Sequence, residues 1–228
     1  STLPGSVLDS EARTRREDPS GSRTTAHYPL LTASAWVLGA AGLLLSFSRG
    51  GWVGLVVAIA AYVVLAASKQ QRRWISLCAC VVILVVLAIP NLRYRILLPF
   101  HGEKSSVARI SLWNTGWHMI QDSPVLGKGL LGFSNNWYAY NTDPGLDHYP
   151  EPHNIFLNFW VDTGLLGVVS YIFLCFLVFR KMLRNKSDAI TFGVGLALVA
   201  LVMHGLIDIP YLKNDLALEF WLLLALMF

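Results

Sequence analysis

Six apolar stretches constrain this chain more than anything else in it. They cover residues 30–47, 52–67, 74–89, 155–179, 189–203 and 216–228. A helix needs about 20 apolar residues to cross the hydrocarbon of a bilayer, and about 17 suffice. The shorter stretches reach that length with their flanks. Backbone N–H and C=O groups cannot be left bare in lipid, so such stretches must be helical. The sequence therefore predicts an all-α, polytopic membrane protein. Composition agrees: 14% of residues are charged and 54% hydrophobic, against about 25% charged in soluble domains. Lys and Arg fall mostly in short linkers between apolar stretches. The net charge of +4 is then a topology signal, and no nucleic-acid partner is expected. Cys78, Cys80 and Cys175 lie inside apolar stretches, where packing explains the C-A-C pair better than a metal or a disulfide framework does.

The stretches divide the chain. Residues 1–29 balance four Arg against four acids among Pro, Ser, Gly and Thr, the composition of a flexible linker. Three transmembrane helices are expected over 30–90, a large loop over 91–152, and three more helices over 153–228. The start at Ser1 and the stop within LLLALMF suggest a piece of a longer polypeptide, with the last span cut short. The basic segments 69–73 and 180–186 belong in the cytoplasm by the positive-inside rule. That places the linker in the cytoplasm too, and segments 46–51, 91–152 and 204–215 on the outer side. Within the long loop, apolar residues at 107, 110, 113, 117 and 120 have helical spacing. They predict an amphipathic helix on the membrane surface, stopped by Asp122, Ser123 and Pro124.

The outer side then gathers Arg49, Arg93, Arg95, Arg109, His118, His153, His204 and Asp208, more cations than the positive-inside rule favours. Arg49 sits in an SRGG turn between two spans. It either snorkels to the interface or binds an anion, since guanidinium grips phosphate bidentately and stays charged. His153 opens an apolar segment. It is either an interfacial residue or a base: a helix N-terminus disfavours a cation, and a neutral imidazole can take a proton. Asp162 is about 13 Å deeper at 1.5 Å per residue, too far to partner His153 directly. It is expected to bond a neighbouring helix or line a cavity. His204 and Asp208, four apart, share a helical face. They could hold helices together, orient the histidine or bind a metal. Gly127-Lys128-Gly129 lacks the rest of a phosphate loop.

The combined motifs resemble one family. His153-Asn154 with Gly164 and Gly167 looks like the signature of bacterial O-antigen ligases and their polymerase and oligosaccharyltransferase relatives. FSRGGWVGL (47–55), RISLWNTGWHMIQDSPVLGKGLLGF (109–133) and HGLIDIP (204–210) resemble further pieces of that family, in the same order. The resemblance implies a GT-C-like glycosyltransferase of the bacterial cytoplasmic (inner) membrane with its active site facing the periplasm. Its donor would be a glycan on undecaprenyl diphosphate. Its acceptor would be lipid A-core, a growing glycan or a protein hydroxyl. No metal or other cofactor is implied. By this resemblance His153 is the catalytic base and Arg49, Arg109 and, less closely matched, Arg93 bind the diphosphate. Asn154, His204, Asp208 and Asp162 are expected to support them. Asn154 would hydrogen-bond near His153, and Gly164 and Gly167 would admit a neighbouring helix. Two other classes fit the outward arginines less well. A lipid-anion transporter or flippase would need an access route to the cytoplasm, and a scaffold subunit would need no chemistry at all.

Overall fold

The computed structural model describes residues 28–46, 48–90, 104–209 and 214–228. Residues 1–27 of the expected linker, Arg93, Arg95 and the start of the long loop lie outside these, and the linker's last two residues begin α1. The described residues form nine helices and no strands: α1 (Tyr28–Leu45), α2 (Arg49–Leu65), α3 (Lys69–Ala88), α4 (Lys104–Asp122), α5 (Gly132–Asn135), α6 (Trp137–Tyr140), α7 (Ile155–Arg184), α8 (Ala189–His204) and α9 (Asn214–Met227). Helices lie on every one of the apolar stretches. Two, α3 and α7, are long and apolar enough to cross a membrane. The chain separates into two compact units, residues 1–48 and 49–228. In the first, α1 carries exposed Trp36, Val37 and Leu38, an apolar surface that suits lipid.

In the second unit, helix starts differ from the expected turns. Arg49 begins α2 itself and does not sit in a free-standing turn. The basic segment 69–73 is the first turn of α3, because Ser68 and Gln71 form a reciprocal capping box. The remainder of α3 has no buried residue.

Small residues set the closest helix pair. Gly50, Gly54 and Ala58 are buried on one side of α2. A Cβ at Gly50 would collide with the His204 ring, and one at Gly54 with the Ala200 carbonyl. The two contacts run in opposite chain directions, so α2 and α8 are antiparallel at a distance only glycine allows. Further along α8, Gly195 meets Met182 of α7 in the same way. Phe192 and Leu198 of α8, Tyr171 and Val178 of α7, and Phe220 and Leu224 of α9 complete this core.

The apolar stretch at 155–179 is not one straight span. Gly164 has φ 70° and ψ −166°, outside helical geometry. Phe156 and Tyr171 would be about 22 Å apart along a straight helix at 1.5 Å per residue. Their rings lie 5.6 Å apart, and those of Phe159 and Tyr171 are 4.6 Å apart and stacked. The helix therefore folds back at Gly164 into a short arm, 155–163, and a long arm, 165–184. The long arm alone has roughly 20 residues, about 30 Å, enough to cross a bilayer.

The long loop fills the break. Leu165 N–H donates to the Val125 carbonyl at 3.1 Å, and Lys128 N–H donates to the Val161 carbonyl at 2.6 Å. Those two α7 groups would have bonded each other in an unbroken helix. Among the described residues, what comes closest to Gly164 and Gly167 is therefore not a neighbouring helix. A Cβ at Gly164 would run into the backbone of Val125 and Leu126, and one at Gly167 into Thr163 of its own helix.

Helix α4 packs on the short arm by only part of the expected stripe, whose Ile120 is buried and whose Trp113 is half-buried. Leu112, Thr115, Met119 and Ile120 are buried, while Val107, Ile110 and Trp117 are exposed. The spacing was helical, and the core simply takes the adjacent face, centred on Thr115 and Gly116.

Candidate active site

His153 stands where four helices meet: the start of α7, the end of α8, the start of α2 and the middle of α4. Asn154 makes the junction. Its side-chain oxygen caps α7 by accepting from the N–H groups of Phe156 and Leu157 at 3.0 and 3.1 Å. Its amide donates to the Leu206 carbonyl at 3.1 Å. Beside it, Ile155 N–H donates to the Gly205 carbonyl at 2.7 Å. The segment after α8 is thereby fastened to the start of α7. Asn154 supports His153 through the backbone and not by bonding the ring.

His153 has φ 51°, a left-handed conformation unusual for a residue with a side chain. The Trp113 indole reaches its carbonyl at 3.4 Å, and the Tyr149 ring stands edge-on to the imidazole at 5.8 Å. The Nδ1 atom lies 2.9 Å from Asp208 Oδ1. This is the main departure from the expected pairing. Helix α8 ends at His204 with Gly205 as its cap. Asp208 lies past that end and turns to His153, not to a shared helical face with His204.

The hydrogen bond from His153 is the largest cause holding the Asp208 carboxyl down at about 2. Ile209 N–H, donating at 2.8 Å, and the nearby His204 act in the same direction, while burial opposes them. A carboxylate offers no proton, so Nδ1–H is the donor. In this pairing the neutral form of the ring carries its lone pair on Nε2.

Arg109 on α4 donates from Nε to the Ile207 carbonyl at 3.1 Å. This bond spans the distance from the long loop to the segment that carries Asp208. Arg49 adjoins Gly50, which touches the His204 ring, so the start of α2 borders the same place. Arg49 and His204 both have partners of their own. The described residues therefore bring together His153, Asn154, His204, Asp208, Arg109 and the first turn of α2. Arg93 is outside the described residues.

Asp162 is elsewhere. It accepts from Phe133 N–H at 3.3 Å and from the Asn158 amide at 3.2 Å. It holds α5 to the short arm of α7 near the bend, and the fold-back removes the simple depth relation to His153.

Sequence reasoning passed over Glu151, Trp113 and Tyr149. Ligand atoms of Glu151, His153 and Asp208 lie within 4.8 Å of one another, a spacing that a cation could bridge. All three already have partners within the protein. Asp208 Oδ1 is shared between His153 and Ile209, and Glu151 has a partner. Only the position of Glu151 two residues before His153 hinted at it. Nothing local to Trp113 or Tyr149 pointed to the ring.

Comparison with known proteins bears on the family of the chain. A sequence model described as O-antigen ligase matches residues 34–172. An uncharacterized protein of Haemophilus influenzae is 23% identical over 164 residues, covering 63% of this chain and 41% of that protein. The chain thus spans less than half the length of that curated relative. No solved structure matches.

Proposed function

Because the chain belongs to the O-antigen ligase family, whose members are glycosyltransferase-like membrane enzymes acting on lipid-linked glycans, we propose that it forms part of an inverting glycosyltransferase. The donor is a glycan on undecaprenyl diphosphate, and the acceptor is a hydroxyl delivered at the periplasmic face of the inner membrane. The observation that carries this reading is the 2.9 Å contact between His153 Nδ1 and Asp208. It supports His153 as a base, since Asp208 fixes the tautomer and leaves Nε2 to take the acceptor proton.

Each residue then has a role. Asp208 orients the imidazole and stabilises the imidazolium that forms. Asn154 holds the two backbone segments that carry the pair. Arg109 and Arg49 bind the departing diphosphate, where fixed cations in a water-poor site stabilise developing charge without reorganising. Arg93 joins them from the loop. Arg109 is anchored through Nε, and its two Nη groups are the ones that meet the phosphate. His204 buttresses Asp208. Asp162 keeps the loop on the α7 bend. The acceptor hydroxyl attacks the anomeric carbon as its proton passes to Nε2. The bond to the diphosphate oxygen breaks, and configuration inverts.

The proposed setting is a multi-pass, GT-C-like protein in which 30–90 and 153–228 hold spans and 91–152 is the periplasmic loop. Ligase, polymerase and protein O-oligosaccharyltransferase share this chemistry and differ in acceptor. The deciding experiment reconstitutes the full-length protein in proteoliposomes with a polyprenyl-diphosphate glycan and a panel of acceptors. The expected result is transfer by wild type, and its loss in H153A with carrier binding retained. Equal transfer by both removes His153 from the chemistry.

A further inference from the structure

The crest of the long loop carries side chains that the site does not use. Val125, Leu126, Leu130 and Leu131 are all exposed, Leu126 to 84% and Leu130 to 83%. Single exposed leucines are ordinary, but a contiguous group calls for a partner. The backbone fixes where this group sits. Val125 and Lys128 are the residues hydrogen-bonded into the break of α7. A Cβ on Gly127 would lie 2.6 Å from Gly164 N, so the crest is seated directly on the bend.

The long arm of α7 starts there with exposed Leu165 and Leu166 and continues with exposed Val169, Ile172, Phe173 and Phe176. The leucines of the crest therefore extend an apolar surface that already belongs to a membrane helix. The charge within the crest is kept apart from them. Lys128 has a side chain only 13% exposed, ion-paired to Asp122 and hydrogen-bonded to Tyr140 at 2.7 Å. Two tryptophans mark the same level. Trp160 donates its indole N–H to the Pro124 carbonyl at 2.9 Å, and Trp117 stands edge-on to it at 6.1 Å. Rings with an apolar body and one polar tip collect at the membrane–water boundary.

We infer that the 125–131 crest is a lipid-binding surface, inserted among acyl chains of the leaflet at the bend end of α7. A second protein is the poorer occupant, because the crest continues a surface that lipid already covers. Insertion would hold the loop that carries Arg109 at a fixed height beside the membrane. The inference depends on α7 crossing the bilayer and not on the chemistry assigned to His153.

The test uses the full-length protein with its native cysteines replaced, in liposomes containing nitroxide-labelled lipid. An environment-sensitive fluorophore is attached in turn to L126C, L130C, L166C and D147C. Leu166 is the lipid reference, and the exposed Asp147 is the aqueous one. The expected result is loss of fluorescence to the lipid nitroxide at 126 and 130 as at 166, with iodide in the buffer quenching only 147. Quenching of the crest by iodide in the manner of 147 overturns the inference. Shielding from both quenchers also overturns it and points to a protein cover. Adding L126D to the L130C protein should reduce lipid quenching at 130, and no change there would count against insertion.

Discussion

At the start of α7, Asp208 occupies one ring nitrogen of His153, and the proposed mechanism gives the other to the substrate. At the bend of the same helix, Asp162 spends both oxygens on Phe133 and Asn158. Both carboxylates sit where helical order fails, and both tie a distant segment to α7. They differ in what is left over. At the bend every named polar group is matched internally, as a break near lipid requires. At the junction, His153 is engaged by Asp208 through one ring nitrogen, and Arg109 and the first turn of α2 lie close by. A polar residue in an apolar stretch is therefore informative only once its partners are known: Asp162 is fully matched within the fold, whereas the role proposed for His153 uses the ring nitrogen that Asp208 leaves over.

Substitutions can separate the two regions. The largest effect is expected at the junction, where H153A should lower transfer by about 10²–10⁴-fold, the usual contribution of a positioned base. Its thermal stability in detergent should stay near wild type. A parallel collapse of stability would move His153 into the structural class with Asp162. The bend should respond in the opposite way. G164A forces a side chain onto φ 70° and against the Val125 and Leu126 backbone, which should destabilise the protein by about 3 kcal/mol. Melting temperature measures this, and an unchanged value would mean that the break is soft. D208N should come next, lowering transfer by on the order of tenfold with carrier binding retained, since an amide orients the ring less well. D162N should be the mildest, costing about 1 kcal/mol for one mismatched hydrogen bond and leaving the pH profile of transfer unchanged.

Acid offers another way to part the two regions. The Asp208 carboxyl is held at about 2, below its ordinary 3.8. A depressed carboxyl contributes stability above its ordinary value and loses that contribution as pH falls through the folded one. The junction should therefore loosen between about pH 4 and pH 2, read as rising hydrogen exchange at Ile155 and Ile209. D208N should remove that dependence.

The sequence exposed much of the helical framework and little of the geometry between helices. Helix placement rests on apolar composition, which is local. The start of α3 was missed, because the basic segment 69–73 was read as a linker although Ser68 followed by Gln71 is a capping box in letters. The bend at Gly164 was not legible. A glycine in an apolar run usually reads as a packing contact, and the residues that fill the break, Val125 to Lys128, lie far away along the chain. The pairing of His153 with Asp208 escaped for the same reason. Spacing linked Asp208 to His204, whereas the end of α8 at Gly205 frees it to turn elsewhere. The resemblance to a family had already singled out His153 and Arg109. What it could not supply was that Arg109 is tied to Ile207, and so to the strand of chain that carries the carboxylate.

The exchanged hydrogen bonds at the α7 bend also limit how such a chain can vary. An insertion between Asp122 and Lys128 would withdraw two backbone partners and leave Val161 C=O and Leu165 N–H bare beside lipid, at several kcal/mol each. An insertion at 144–147, where the chain turns in the open, would disturb neither. The two halves of the long loop should thus tolerate length changes very unequally: the first is spliced into a membrane helix, and the second only has to return to His153.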